Sequence, residues 1–419
     1  MATNDGGCCL IVVPRKRPAA VPGLITETSR AIREGTLSRG PEQRLFELAL
    51  AGRLEQRHVR AVGSGRLALL LVMEALGVRP SATVMLASYN ASCVPNVLQA
   101  AGYRLHFIDI REDTLHLDVD ALPPTPPAGV EALIMTHMEG SPAPMAEVRA
   151  YADRHGLTLI EDAAHALGAH IHGEPAGALA DGAIFSLGRG KHLNTLGGGL
   201  AVVPPTAAER LDRLVDRLNA PPAASLLKSS VMEGLVETGT TPALFGALAM
   251  PWMKLARRAG RDPMTALFED DKSRMAAVPP ELKVAFSNLQ ARFGLLGLES
   301  FDMQLARRRS HARRLIEGLA DIVPMQRPVD GGTSAWLEVT ALVDDRDALQ
   351  TALLARGIDT QRTWMDACDA LDAFSSASGP PCSVARSVGQ RALYLPTYAA
   401  LDDRQIDAVI KAVRAEVAS

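Results

Sequence analysis

The sequence has few aromatic residues, few cysteines and no large excess of either charge. Phe, Trp and Tyr make up 4% of the 419 residues, and 44 Lys and Arg residues stand against 47 Asp and Glu residues, for a net charge of −3. A nucleic-acid-binding protein is therefore not expected, because such proteins carry a concentrated positive charge. No charge-free apolar stretch approaches the roughly 20 residues that span a bilayer, so a transmembrane helix is not expected either.

Cysteine usage and the N-terminal pattern both predict a reduced, cytoplasmic protein. The cysteines are odd in number and scattered, which does not indicate a disulfide framework: Cys8, Cys9, Cys93, Cys368 and Cys382. Cys8 and Cys9 are too far from any other Cys or His pair to predict a zinc site, so no metal is expected. The apolar patch Leu10–Val13 precedes the basic Arg15-Lys16-Arg17, which is the reverse of the order in a secretory signal.

Short apolar runs and amphipathic stretches alternate through the first half of the chain. At this length, with 47% apolar residues, two or three domains are expected. Six runs predict buried strands: Val84–Tyr89, Leu105–Ile110, Ala132–His137, Leu157–Asp162, Ala183–Leu187 and Leu200–Val203. Three stretches predict helices: Leu67–Leu76, Val94–Ala101 and Met145–His155. This alternation predicts an α/β fold with a mostly parallel central sheet and flanking helices.

The pattern changes in the last third of the chain. A long helical stretch covers Leu289–Leu319 and is followed by a predicted strand at Ala335–Val339. Two further helices are predicted at Arg346–Arg356 and Asp403–Val417. We therefore expect a smaller C-terminal α+β domain that begins near residue 300.

A glycine-rich turn opens the first predicted helix. Gly63-Ser64-Gly65-Arg66 would place backbone N–H groups and the Arg66 guanidinium at a helix N-terminus, where they favour a phosphate group. An ordinary turn has the same composition, so the motif alone leaves both interpretations open.

Charged side chains follow two of the predicted strands. Asp162 ends one strand and His165 follows three residues later; an Asp that caps a helix, beside a solvated His, is the alternative. Lys191 lies in a glycine-rich loop after another strand, where it is either solvent-exposed or a partly desolvated nucleophile. Because ligands of open α/β sheets bind beyond the carboxyl ends of the strands, these residues are expected to share one site.

The order of these motifs matches the needs of pyridoxal phosphate. Its phosphate requires an anion cradle, its pyridine nitrogen a carboxylate, and its aldehyde an amine. The helix start at Gly65, the carboxylate of Asp162 and the amine of Lys191, 29 residues further on, offer these groups in that order.

With these motifs in place, the sequence resembles the DegT/DnrJ/StrS-type sugar aminotransferases, a pyridoxal phosphate family of fold type I. The resemblance extends from about Gly35 to the C-terminus, apart from roughly 204–280. Its carriers are Ser38-Arg39-Gly40-Pro41, Ser64-Gly65, Ile108-Asp109-Ile110, Thr114-Leu115, Glu161-Asp162-Ala163-Ala164-His165, Phe185-Ser186 with Lys191, Gly198-Gly199, Ser287-Asn288-Leu289-Gln290-Ala291 and Leu393-Tyr394-Leu395-Pro396. The Glu-Asp-Ala-Ala motif and the Phe-Ser-(four residues)-Lys motif are the most specific of these.

The resemblance implies a role for each matching residue. Lys191 matches the lysine that forms a Schiff base with the cofactor and moves the proton during the reaction. Asp162 matches the partner of the pyridine nitrogen, and His165 the residue that contacts the phenolate oxygen of the ring. Ser186 and the backbone of Gly65-Arg66 match the phosphate site.

The sequence departs from the family pattern at several of its positions. The aromatic residue that stacks on the cofactor ring aligns with Ala91, which leaves Tyr89 as the candidate stacking residue; a buried strand end is the alternative. Arg66 stands where the family usually has Thr. The Asn that reaches the partner subunit's phosphate aligns with Lys283. Retention of Lys191 favours transamination over the dehydration carried out by members that have His there.

The expected organisation is an N-terminal arm (1–34), a large cofactor-binding domain (35–300) with an insertion at about 204–280, and a small domain (301–419). Within the insertion, the charge-free run Thr238–Met253 precedes a basic cluster: Lys254, Arg257, Arg258 and Arg261. A packed helical lid or dimer element is the favoured interpretation, and docking at a membrane surface is the alternative.

The function predicted by the resemblance is transfer of an amino group from glutamate or glutamine to a carbonyl acceptor. The acceptor would be a nucleotide-linked keto-sugar or a related cyclitol, and the enzyme a cytoplasmic homodimer. A non-catalytic or regulatory protein of the same fold, docked at a membrane through the insertion, is the alternative. Its motivation is the set of departures from the family: Arg66, Ala91, Gly188, Lys283 and Ala285.

Overall fold

The computed structural model of the chain describes residues 11–259, 262 and 273–417. Cys8, Cys9, Leu10 and Arg261 lie outside the described residues. The described strands are β1 His58–Val62, β2 Thr83–Ala87, β3 Tyr89–Asn90, β4 Arg104–Ile108, β5 Val130–Thr136, β6 Thr158–Asp162, β7 His170–Ile171, β8 Glu174–Pro175, β9 Gly182–Ser186, β10 Gly199–Val203, β11 Gly332–Thr333, β12 Val339–Leu342, β13 Gln361–Arg362, β14 Asp366–Ala367 and β15 Ala392–Leu395.

The helices of the same ranges include one long helix that connects the two halves of the molecule. They are α1 Leu24–Glu34, α2 Glu42–Arg53, α3 Gly65–Ala75, α4 Cys93–Ala100, α5 Met145–His155, α6 Ala208–Val215, α7 Ala223–Gly239, α8 Pro242–Leu244, α9 Met250–Arg258, α10 Asn288–Leu319, α11 Arg346–Ala355, α12 Ser383–Arg391 and α13 Asp403–Val417. A π-helical turn, Phe245–Ala249, joins α8 to α9. Ser287 caps α10 through a capping box with Gln290, and this helix runs 32 residues across the proposed domain boundary without a break.

A seven-stranded sheet lies at the centre of residues 58–203, in the order β1-β10-β9-β6-β5-β2-β4. The five strands from β9 to β4 are parallel, and β10 and β1 close one edge in antiparallel pairing. The six predicted strands are all present, with ends within two residues of the predicted ones. The predicted α/β fold with a mostly parallel sheet is therefore confirmed. The strand β1 was not predicted, because its five residues include two basic side chains, His58 and Arg60.

A second sheet, β12-β15-β13, is antiparallel, and its inner face packs on α10, α11 and α13. The strand predicted at Ala335–Val339 is displaced, since β12 starts only at Val339. Trp336 has a φ of 53°, which interrupts an extended backbone, and the N–H groups on either side of it donate to the carbonyls of residues 139 and 140. This segment therefore closes over the loop that follows β5 instead of joining a sheet.

The insertion folds into helices with two unlike faces. On the inner face, the buried carboxylate of Glu233 in α7 accepts hydrogen bonds from Arg189 (2.8 Å) and Asn194 (2.7 Å), which flank Lys191 in sequence. The outer face exposes seven large apolar side chains: Val231, Met232, Leu235, Leu244, Leu248, Trp252 and Leu255. Among the described residues, no helix has the length and apolarity needed to cross a bilayer. The inner contacts agree with the interpretation of the insertion as a packed helical cover.

Candidate active site

The carboxyl ends of the parallel strands and the N-terminus of α3 enclose a cavity of about 450 Å³. This size is typical of sites for small organic ligands. Six of the predicted site residues line the cavity: Gly65, Arg66, Asp162, His165, Ser186 and Lys191. They meet because β6 and β9 are neighbouring parallel strands, so that the residues at and beyond their ends, Asp162 and Ser186, reach the same edge of the sheet.

Backbone and hydroxyl groups form one end of the cavity. Ser64 caps α3, with its Oγ accepting a hydrogen bond from the N–H of Leu67 (3.1 Å), so the first turn of the helix points at the cavity. The Arg66 side chain and the Ser186 hydroxyl lie at the same end. Gly199 has to be glycine here, because a Cβ at that position would collide with the Gly65 backbone. Free N–H groups, a hydroxyl and a guanidinium at a helix start are suited to a phosphate group.

Asp162 supplies a buried carboxylate at the floor of the cavity. Its side chain is 3% exposed, and Oδ1 accepts a hydrogen bond from the N–H of Ala164 at 3.1 Å. Burial raises the pKa of Asp162 above its ordinary value, while the Ala164 N–H and the charge of Lys191 oppose this shift. A buried, desolvated carboxylate of this kind is stabilised by a hydrogen bond from a protonated ring nitrogen.

His165 lies beside Asp162 and faces an acid that the sequence analysis did not identify. His165 Nδ1 is 3.5 Å from Glu139 Oε2, and neither atom has a hydrogen bond within the described part of the chain. Glu139 is fully buried, has a φ of 53°, and accepts a hydrogen bond from the Tyr394 hydroxyl. Burial raises the pKa of Glu139 to about 7 and lowers the pKa of His165 well below its ordinary value. The imidazole is therefore neutral at pH 7.

Lys191 is partly buried and has a perturbed amine. Its Nζ lies 4.8 Å from the centre of the Trp364 ring. Burial and the charge of Lys16 lower the pKa of Lys191 to about 8, against the opposing charges of Glu139 and Asp162. A lysine with a lowered pKa is the form that attacks carbonyl carbons at neutral pH.

Two predicted residues lie outside the cavity. Tyr89 is fully buried, and its hydroxyl lies 2.7 Å from Thr363 Oγ1. Because side chains alternate along β3, Asn90 and not Tyr89 faces the cavity, which corrects the expectation of Tyr89 as the stacking residue. Lys283 is exposed at the surface and does not line the cavity of its own chain.

Three residues of the site were not found from the sequence. Trp364 lies at the wall of the cavity, with its ring stacked on His165 at 5.7 Å between centroids. Lys16 of the N-terminal arm approaches the same indole ring. Glu139 follows the end of β5, so the strand-end rule that identified Asp162 could have indicated it. Lys16 and Trp364 carry no local signal, because they are 175 and 173 residues from Lys191 in the chain.

Comparison with known sequences gives matches over nearly the whole chain. Residues 23–219 and 260–414 match the sequence model of the DegT/DnrJ/EryC1/StrS aminotransferase family. The chain is 29% identical over 407 residues to the dTDP-3-amino-3,4,6-trideoxy-alpha-D-glucose transaminase of Streptomyces venezuelae, an alignment that covers 94% of this chain and 93% of that protein. The stretch between the two matched segments, 220–259, falls within the predicted insertion.

Solved structures give the same result for the fold. The S. venezuelae protein DesV, in complex with a ketimine intermediate, superposes with a TM-score of 0.72 at 27% identity and covers 94% of each chain. The sugar aminotransferase CalS13 from Micromonospora echinospora gives a TM-score of 0.75 at 23% identity, covering 96% of this chain and 99% of that one. The predicted fold, type I of the pyridoxal phosphate enzymes, is confirmed.

Proposed function

Because the chain belongs to the DegT/DnrJ/EryC1/StrS aminotransferase family, we propose that it moves the amino group of glutamate or glutamine to a carbonyl carbon of a nucleotide-linked keto-sugar, with pyridoxal phosphate as its cofactor. The observation that carries the proposal is the meeting of Lys191, Asp162 and His165 in one cavity. An amine, a buried carboxylate and a neutral imidazole are the side chains that this cofactor requires.

The residues of the cavity fit pyridoxal phosphate. The α3 N-terminus with Arg66 and Ser186 would hold the phosphate, and Asp162 the ring nitrogen. His165, whose Nδ1 makes no hydrogen bond to any of the described residues, would contact the ring hydroxyl. When bound, pyridoxal phosphate supplies an aldehyde that condenses with amines and a ring that withdraws electrons from the substrate carbon.

The protein's own groups would then bind, orient and exchange protons. Lys191 Nζ, with its lowered pKa, takes up and returns a proton near pH 8. The Asp162 carboxylate would keep the ring nitrogen of the cofactor protonated, because an ionised carboxylate in a buried site binds a cation strongly. Trp364 and the apolar wall exclude water from the amine.

Replacement of Arg66 by Ala is expected to weaken binding of pyridoxal phosphate about 10-fold to 100-fold, because a charge-assisted hydrogen bond to phosphate is lost. The measurement is the Kd from fluorescence or absorbance titration of the apo-protein. The exposed Arg33 on α1, replaced by Ala, is the control. An unchanged Kd for Arg66→Ala would show that the Arg66 guanidinium does not hold the phosphate.

The rate at which the apo-protein takes up pyridoxal phosphate is expected to rise with pH, with a midpoint near 8. Only the neutral amine of Lys191 attacks the aldehyde, and the pKa of Lys191 is lowered to about 8. At pH 7 the neutral form is then about one molecule in ten, against about 0.03% for a lysine with the ordinary value. Stopped-flow absorbance across this pH range measures the midpoint, and a value above about 10 would contradict a lowered pKa.

The acceptor is proposed from the relatives and the donor from the resemblance. The S. venezuelae relative is named for a dTDP-linked amino sugar, which supports a nucleotide-linked keto-sugar for this chain. Glutamate and glutamine, added separately to the loaded protein, should convert the bound cofactor from the pyridoxal to the pyridoxamine form. The loaded protein is then offered a panel of keto-sugar nucleotides, and restoration of the pyridoxal spectrum identifies the acceptor.

We also propose a homodimer. The exposed position of Lys283 agrees with the implied role of this residue, which is to reach the phosphate of the partner subunit and not that of its own chain. Light scattering during gel filtration tests this, with a particle of twice the chain mass expected.

The non-catalytic alternative is not favoured, because Lys191, Asp162 and His165 line one cavity with an activated amine among them. The donor experiment separates the two: a spectrum that neither glutamate, glutamine nor another amino acid changes would support the non-catalytic protein. Borohydride reduction followed by peptide mapping locates the cofactor, and attachment away from Lys191 would overturn the proposed site.

A further inference from the structure

A second lysine, from the N-terminal arm, lies beside Lys191. The Lys16 side chain is 6% exposed, and its Nζ is 2.7 Å from Glu338 Oε1. The same Nζ lies 4.2 Å from the centre of the Trp364 ring, which the Nζ of Lys191 also contacts, at 4.8 Å. One indole ring thus has two amines as neighbours, and an aromatic ring attracts cations.

The arm is fastened on both sides of Lys16. On one side, Arg15 forms an ion pair with the buried carboxylate of Asp359 at 2.7 Å. On the other, the N–H of Val21 donates to Glu237 of the insertion helix α7 at 2.6 Å. The Lys16 stem passes over Gly190, where any Cβ would collide with it. Gly190 also has a φ of 82°, a backbone conformation that by itself favours glycine, and its missing side chain leaves room for the Lys16 stem.

Glu338 supplies the counter-charge that lets an ammonium group stay in a buried place. A buried cation without a partner costs several kcal/mol, whereas a hydrogen-bonded pair largely offsets this cost. Arg308, also buried, interacts with the charge of Glu338 and donates to the Leu337 carbonyl at 3.2 Å. The surroundings of the Lys16 side chain therefore stabilise a positive charge.

The charges around Lys191 come from several elements. Glu139 after β5, Asp162 at the end of β6 and Cys93 at the start of α4 favour the protonated amine, and Lys16 opposes them. His165 also faces Lys191, but its imidazole is neutral because burial holds its pKa low. Without the opposing cation, an even smaller fraction of the amine would be neutral at pH 7.

We propose that Lys16 is a positioning residue for Lys191, and that its positive charge increases the fraction of the neighbouring amine in the neutral form that attacks a carbonyl carbon. The inference rests on the proposed function of Lys191. It gives the N-terminal arm a part in the site, because displacement of the arm would withdraw the charge and lower the neutral fraction of Lys191.

The test compares the pH dependence of pyridoxal phosphate uptake in four full-length apo-proteins: wild type, Lys16→Met, Lys16→Arg and the double variant Lys16→Met with Glu338→Gln. Loss of the charge in Lys16→Met should raise the midpoint by about one pH unit and slow uptake at pH 7 about 10-fold. Lys16→Arg keeps the charge and should keep the wild-type midpoint. The double variant removes the whole ion pair and should also raise the midpoint, but by less than Lys16→Met, because the negative charge of Glu338 is removed as well.

The outcomes separate this inference from the proposed function. A wild type that takes up no cofactor at Lys191 would overturn the proposed function itself. Wild-type uptake at Lys191, with the same midpoint in Lys16→Met and in the double variant, would overturn the role of Lys16 alone. A lower melting temperature with an unmoved midpoint would also overturn that role, since a merely structural residue changes stability without changing the titration. If Lys16→Met does not fold, the double variant decides.

Discussion

Replacement of Lys191 by Ala is expected to lower kcat for amino transfer by roughly 10⁴–10⁶-fold, the largest effect on activity that we predict. The amine of Lys191 is both the nucleophile toward the cofactor and the base next to the substrate carbon in the proposed function. The loss of Lys191 removes both roles. The nearby Lys16 cannot replace it, because the Lys16 ammonium is held by Glu338. The measurement is turnover with glutamate or glutamine and the acceptor identified from the panel.

The control for this prediction is the exposed Lys411 on α13, replaced by Ala, which should leave kcat unchanged. Lys191→Ala should also take up pyridoxal phosphate without the visible band of the lysine adduct, and borohydride should leave no labelled peptide. Near-normal turnover by Lys191→Ala would refute the assignment of Lys191, whatever the effect on the spectrum.

Much of the site could be predicted because it depends on strand ends. Apolar runs buried on both faces indicated the parallel strands, and their carboxyl ends lie along one edge of the sheet. Asp162 and Ser186 end β6 and β9, so a correct prediction of these strands already places both residues at one cavity. A short loop joins the end of β9 to Lys191, so the same prediction brings Lys191 to this cavity.

The rest depends on contacts between distant parts of the chain. The pairing of Lys16 with Glu338 joins residues 322 positions apart, and no local pattern in the basic run Arg15-Lys16-Arg17 distinguishes the buried lysine from a solvated one. Trp364 likewise reaches the cavity only because β14 pairs with β3 and brings the small domain to the site. The predicted strand Val84–Tyr89 ends at Ala87 instead, and Tyr89 belongs to the separate strand β3, where its side chain is buried away from the cavity.

Glu161 and Asp162 are adjacent carboxylates that lie on opposite faces of β6 and have different roles. Alternation along β6 directs Asp162 into the cavity and Glu161 to the other face, where it is fully buried. Its oxygens accept hydrogen bonds from the N–H groups of Gly177 (2.7 Å), Leu179 (2.8 Å) and Ala180 (2.9 Å). These residues lead into β9, so Glu161 fixes the strand that carries Ser186 and leads to Lys191.

A fourth hydrogen bond to Glu161 comes from an imidazole whose tautomer is determined by its neighbours. His137 Nδ1 accepts from the N–H of Ala143 at 2.9 Å, so its Nε2 carries the hydrogen and donates to Glu161 at 2.8 Å. Four donors therefore depend on one fully buried carboxylate. Removal of that carboxylate leaves all four unsatisfied.

Glu161→Ala is accordingly expected to lower the free energy of unfolding of the apo-protein by about 3–5 kcal/mol. Glu161→Gln keeps one acceptor oxygen and should lose about 1–3 kcal/mol. The matched neighbour, Asp162→Asn, keeps its bond from Ala164 and should change stability by less than about 1 kcal/mol while turnover falls about 10²–10³-fold. Urea denaturation of the apo-proteins, with kcat measured on the loaded ones, tests the three variants together. If Glu161→Ala unfolds like the wild type, the β9 strand is held by its sheet neighbours alone; if Asp162→Asn keeps full activity, the carboxylate that faces the cavity has no part in catalysis.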